Sequence, residues 1–93
     1  MGKEESQALT LLKMNLGISK ENRDSYLSAI IEGVKTEMKD KGVTLSDENS
    51  DHLMFLVDFA AWRYRSRGEG ILPRNLQFRK HNLIIKYGGV SNE

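Results

Sequence analysis

The apolar positions fall into four runs, and the period of each predicts an element. Leu9, Leu12 and Leu16 recur at three- and four-residue steps with Leu11 beside them, so residues 5–15 read as a short amphipathic helix that Gly17 closes. After Ser19, a candidate N-cap, Leu27, Ile30, Ile31, Val34 and Met38 sit at i, i+3, i+4, i+7 and i+11. That is one apolar stripe on a second helix, with Glu32, Lys35, Lys39 and Asp40 opposite and Gly42 at its end. A third helix would start at Ser46 or Ser50, with Asp47, Glu48 and Asp51 in its first turn, where the helix dipole favours acids. From Leu53 to Trp62 it is apolar nearly all round, interrupted only by Asp58, and Arg63, Arg65 and Arg67 close it. A helix apolar on every side is buried on every side. In so short a chain it is either the centre of a bundle or one of its faces is covered by another subunit. The fourth run opens at Leu72-Pro73-Arg74 and places Leu72, Leu76 and Leu83 on one helical face, with Phe78 off it. Residues 83–87 fit either a last helical turn or a short strand, and a strand would need a partner from a neighbouring copy.

The expected fold is therefore all-α, a small bundle of about four helices around a central apolar third helix. Its core would hold Leu27, Ile30, Ile31, Val34, Leu56, Phe59 and Trp62. Ninety-three residues and 10.6 kDa leave room for one core, so residues 1–93 read as a single domain with 1–5 and 88–93 as flexible ends.

Composition narrows the chemistry. The absence of cysteine excludes a disulfide framework, a thiolate metal site and thiol nucleophiles, and fits a reducing compartment. No apolar run approaches the roughly 18–20 residues of a membrane helix, and Met1-Gly2-Lys3-Glu4-Glu5 does not open a secretory signal. The net charge of +1 hides an asymmetry: residues 1–62 carry −4, whereas residues 63–93 carry +5. Such a division suits contact with nucleic acid, head-to-tail self-association, or an ordinary solvated surface.

The candidate catalytic groups do not assemble into a pattern. His52 and His81 are the available bases, but no serine lies in a G-x-S-x-G turn, and both histidines read as surface or helix-end residues. Asp47, Glu48, Asp51 and His52 offer oxygen and imidazole ligands at helical spacing, yet no H-E-x-x-H or calcium-loop pattern surrounds them, and the dipole explains the acids. Gly68-Glu69-Gly70 lacks the lysine and preceding strand of a phosphate loop and reads as a turn. Trp62 and Tyr64, beside arginines, suit either base stacking or a core edge, and Trp62 continues the apolar run. A helix-turn-helix reader is disfavoured because the third helix would offer phenylalanine, leucine and valine to base edges. No catalytic, cofactor or metal residue is assigned, and no enzyme is expected.

The chain resembles a known family over most of residues 8–87. The likeness runs from Leu11-Leu12-Lys13-Met14-Asn15-Leu16-Gly17-Ile18 through Asp24 and the Leu27–Val34 stripe to Ala61-Trp62-Arg63-Tyr64-Arg65. Its most specific part is the arginine-rich helix end followed by G-E-G-x-L-P-R-x-L-x-x-R-x-x-N, here residues 68–82. In these features it is similar to the head–tail connector (adaptor, or head-completion) proteins of tailed bacteriophages, also called phage DNA-packaging proteins. The resemblance implies a helical subunit, without catalysis, that forms a homo-oligomeric ring under the portal protein after packaging. Made in the bacterial host cytoplasm, it would reside in the virion neck and extend the channel through which genomic DNA passes without sequence specificity. It would also offer a platform to a tail-side head-completion protein, and the free subunit could be monomeric. No channel-facing loop aligns here, so the resemblance assigns no channel-lining residues.

On that basis Arg63, Arg65, Arg67, Arg74 and Arg79 are expected along one subunit edge. They would face Asp47, Glu48 and Asp51 of a neighbour, or portal carboxylates. Exposed single pairs contribute only about 0–1 kcal/mol, so apolar burial must dominate assembly, with Phe55, Phe59, Leu72 and Leu76 as the candidates. A chain ending near Gly70 is then expected to stay soluble and fail to assemble. The rival reading is a small non-specific nucleic-acid-binding helical protein that uses the basic last third.

Overall fold

Four helices follow one another in the computed structural model, which describes residues 6–67 and 69–87: α1 (Gln7–Leu16), α2 (Asp24–Asp40), α3 (Ser50–Ser66) and α4 (Arg74–Tyr87). The fold is all-α. Residues 83–87 form the last turns of α4, so the strand alternative is not taken. Residues 1–5 and 88–93, expected as flexible ends, and Gly68 lie outside the described residues. None of the described helices is long and apolar enough to cross a membrane.

Local chemistry sets the helix ends. Ser6 caps α1 by accepting the Leu9 N–H at 3.1 Å. Both α1 and α2 end in the same motif. Gly17 (φ 75°) and Gly42 (φ 90°) take the left-handed conformation, and the next residue's N–H reaches back five residues, Ile18 to Lys13 at 2.9 Å and Val43 to Met38 at 2.8 Å. The apolar residue after each glycine then folds onto the core, Val43 completely.

Two expected N-caps are corrected. The second helix starts at Asp24 rather than after Ser19, because residues 18–23 reverse the chain between α1 and α2, and Arg23 at its cap position makes no side-chain capping hydrogen bond. The third helix is capped by Asn49, not Ser46 or Ser50. The Asn49 carboxamide accepts from the N–H groups of Asp51 (2.9 Å) and His52 (3.3 Å). Ser46 serves the turn before it, accepting the Glu48 N–H at 3.1 Å.

Helix α3 packs against all three others. Leu27, Ile30, Ile31, Val34 and Met38 of α2 are buried, as are Ala8, Leu9 and Leu12 of α1 and Leu76 and Leu83 of α4. From α3 come Leu53, Phe55, Leu56, Val57, Phe59, Ala60 and Ala61. Phe55 meets Phe59 edge-on at 5.5 Å, and Phe59 meets Trp62 at 6.2 Å, so an aromatic ladder runs along the helix. Trp62, expected in the core, sits half-buried at its edge.

The fold thus corrects one inference from the pattern. Phe55 (1% exposed) and Phe59 (2%) are covered by this chain's own helices and offer nothing to a neighbour. Three helices, together with Val43 and Leu45 of the α2–α3 loop, shelter what two could not. A narrow seam of α3 through Asp51, Met54, Asp58, Trp62 and Arg65 is left less covered, and at its C-terminal end Arg63, Tyr64 and Ser66 are half-buried.

Candidate functional site

The basic residues of the last third divide by what they touch. Arg63 donates to Glu37 at 2.7 Å and lies over the Phe59 ring, its guanidinium carbon 4.9 Å from the centroid. Lys80 reaches the other oxygen of the same carboxylate at 2.7 Å, with Nζ 5.7 Å from the Phe59 centroid. One carboxylate of α2 therefore ties α3 and α4 together above the central aromatic ring. Burial pushes the Glu37 carboxyl up, but the hydrogen bonds and charges of Lys80 and Arg63 outweigh it and hold the group below its ordinary value. Gly33 lies one turn before Glu37, and a Cβ there would meet Arg63 Nη1 at 3.7 Å, an ordinary contact.

Arg79 donates to Asp58 at 2.8 Å and to the Asn75 side chain at 3.3 Å. Arg65 donates to the Asn15 backbone and side-chain oxygens at 3.3 and 3.2 Å. The expectation that Arg63 and Arg79 pair with a neighbour's acids is thus corrected: Glu37 and Asp58 of the same chain hold them. Leu76 is likewise withdrawn from the interface set, being buried in the core, and Leu72 packs against the core from its edge. Among the described residues, Arg67 and Arg74 are exposed and make no ion pair.

The expected acidic set lies at the other end of α3. Asp47 is 3.7 Å from Lys35, while Glu48 and Asp51 are exposed. At about 1.5 Å per residue, Asp51 and Arg67 stand roughly 24 Å apart along the helix. The fold thus separates Asp51 from the arginines at the end of α3, but Asp51 and Arg79 line one concavity between α3 and α4.

Residues that the pattern did not select form the outward face of α4. Phe78 is 65% and Ile85 68% exposed. They are seven residues apart, hence two turns along one face, offset from the inward pair Leu76 and Leu83 by two residues in each case. Arg74 and His81 flank them on the exposed side, and Ile71, 84% exposed, precedes the helix. The signal was present in the sequence as a second seven-residue register, visible in Phe78 falling off the leucine face.

His52, expected as a surface or helix-end residue, stands in the first turn of α3 and is buried. Its Nδ1 accepts the Ser46 N–H at 3.1 Å, which assigns the proton of the neutral ring to Nε2. Tyr87 meets the ring edge-on at 4.6 Å, and among the described residues Nε2 has no hydrogen-bond partner. His52 therefore fastens the α2–α3 loop and the end of α4 to α3. His81 stands exposed on α4. Among the described residues no three of His, Asp or Glu group so as to hold a metal ion.

A further concavity of about 460 Å³ lies between the start of α2 and the end of α3, lined by Arg23, Tyr26, Tyr64, Arg65 and Arg67. Arg23 donates to the Tyr64 hydroxyl at 2.8 Å, and the Tyr26 and Tyr64 rings are 6.0 Å apart at 58°.

In comparison with known proteins, the chain matches no family model, no curated protein and no solved structure.

Proposed function

We propose that the chain is a structural, non-enzymatic subunit of a phage head–tail connector, assembling as a ring under the portal in the virion neck. The observation that carries this reading is the exposed Phe78–Ile85 ridge of α4, which lies in and just beyond the segment bearing the most specific part of the resemblance. The ridge has a basic rim in Arg74. The less covered seam of α3, with Met54 and Trp62 at its apolar positions, is bordered by the exposed Asp51, while Asp58 within it is held by Arg79. A basic-rimmed ridge on one copy and an acidic-rimmed seam on the next form a heterologous contact, which closes into a ring when the rotation permits. DNA then passes through the ring, and its far side receives a tail-side protein.

The magnitudes fit a subunit that assembles only with help. Burying the remaining exposed part of Phe78 and Ile85 contributes about 1–2 kcal/mol each. Rim pairs add about 0–1 kcal/mol apiece. The sum barely meets the cost of association, which starts at about 4 kcal/mol. The free protein is therefore expected to be monomeric at micromolar concentration and to ring up on a template.

The test is co-sedimentation of the full chain with purified portal rings, with light scattering of the free protein over a range of concentrations. Wild type is expected to bind the portal in multiple copies, and the Phe78→Ser, Ile85→Ser double variant, with unchanged helical circular dichroism, to bind at least tenfold more weakly. Portal binding unaffected by the double variant, or no assembly of the wild type under either condition, overturns the reading. A chain ending near Gly70 is the poorer probe, because loss of α4 uncovers Phe55 and Phe59 and unfolds what it is meant to test.

A further inference from the structure

We infer that the cleft lined by Arg23, Tyr26, Tyr64, Arg65 and Arg67 is a binding site for single-stranded nucleic acid, with phosphates on the arginines and an unpaired base on Tyr26. Three arginines line it, Arg23 also donating to Tyr64 and Arg65 to Asn15, and among the described residues no acidic side chain does. Like charges held together without a carboxylate repel one another, so the site gains free energy from a bound anion. The planar guanidinium fork suits phosphate oxygens.

The aromatic lining narrows the anion further. Tyr26 is 53% exposed, and its ring lies beside Tyr64 in the same cleft as the arginines. Arginines interleaved with aromatic faces are the common means of holding a strand whose bases are unpaired. The Tyr64 hydroxyl accepts from Arg23, which leaves its own proton to donate to a phosphate oxygen. The volume, about 460 Å³, admits one nucleotide rather than a duplex.

Arg67 supplies an independent observation. It is the one described non-glycine residue with positive φ (59°), at the C-cap of α3, where its N–H bonds the Arg63 carbonyl. Glycine is the residue favoured in that conformation, and an L side chain there costs on the order of 1 kcal/mol. A strained position that carries an unpaired arginine into a basic cleft has the character of a ligand contact.

This inference does not rest on ring assembly, and its test is separable from that reading. Fluorescence anisotropy of a labelled oligo-dT strand is measured with the full chain from 20 to 200 mM salt. Binding at the low-salt end is expected with Kd on the order of 100 μM, and log K falls with log salt at a slope of about −2 for three phosphates. Arg67→Gly removes a charge while relieving the backbone, so it folds at least as well; it is expected to weaken binding severalfold and to flatten the slope by about 0.7. Tyr26→Ala is expected to weaken binding about tenfold with the slope unchanged. The Phe78→Ser, Ile85→Ser variant binds the strand as wild type does. The inference is overturned by no binding at 20 mM salt, or by binding that neither variant changes. It is equally overturned if polyglutamate binds as tightly as the oligonucleotide and Tyr26→Ala leaves both unaltered, which would make the cleft a seat for an acidic protein segment.

Discussion

Replacing Glu37 by glutamine removes one negative charge and tests whether a single carboxylate joins three helices. Glu37 receives a 2.7 Å hydrogen bond from Arg63 of α3 and another from Lys80 of α4. A hydrogen bond to a charged group contributes about 1.5–3 kcal/mol when well enclosed. Here the three side chains are 21–31% exposed, so water recovers part of that, and the loss for Glu37→Gln is about 1–2 kcal/mol in all. Urea unfolding at pH 7 would show it as a midpoint lower by roughly 1 M, with an unchanged slope. The pH dependence carries the sharper information. Folding holds the Glu37 carboxyl below its ordinary value, so as pH falls the unfolded chain takes up the proton first. The contribution is therefore complete above the unfolded value, about 4.3, and disappears as pH drops through the lower, folded value. Since glutamine does not titrate, the wild-type minus variant difference isolates this one group. It should be fully open at pH 6–7 and close progressively below about pH 4. A difference that stays constant down to pH 2.5, or that is absent at pH 7, would refute the clamp.

Other consequences are simpler to read. Gly33→Ala should stabilise by up to about 1 kcal/mol, raising Tm by a few degrees, because a Cβ meets Arg63 at ordinary contact distance and alanine favours the helix; a lowered Tm would mean that Arg63 needs the space. Phe59→Ala should cost about 3–5 kcal/mol, a large share of the roughly 5–14 kcal/mol expected for a chain of this length, and leave a molecule largely unfolded by modest urea. Arg67→Gly should raise the melting temperature slightly by relieving the left-handed strain, and a drop would show that the guanidinium has a stabilising contact within the fold.

Periodicity made the helices legible and left their partners obscure. The α2 stripe from Leu27 to Met38 is buried residue for residue, because a 3.6-residue period needs no knowledge of what lies opposite. The all-round apolarity of α3 signalled burial equally well. It left the cover open, since Val43 and Leu45, which help to close the core, sit in a loop outside any helical period. Glu37 lies 26 residues from Arg63 and 43 from Lys80, and no local rule links charges at such distances. His52 was readable as a helix-end residue but not as a buried one, for the same reason: Tyr87 meets it from the far end of the chain. Phe78 and Ile85 were readable as a second register on α4, but one helix with two apolar faces does not say which face turns inward.

The +5 charge of the last third acquires a different meaning once these contacts are known. Arg63 and Lys80 share Glu37, Arg79 is held by Asp58, and Arg65 is engaged by Asn15. Much of the apparent basic surface is thus the positive half of an internal network that offsets the −4 of residues 1–62. What remains outward is divided by position, Arg74 beside the apolar ridge of α4, Lys86 at the end of that helix, and Arg67 with the exposed Arg65 in the tyrosine cleft at the end of α3. The division permits charge changes at these two sites with the clamp intact. Arg74→Glu should weaken portal binding and leave strand binding unchanged, whereas Arg67→Gly should do the reverse. If instead each variant impairs both activities to the same degree, the two surfaces are one, and the basic end acts as a diffuse field rather than as separate contacts.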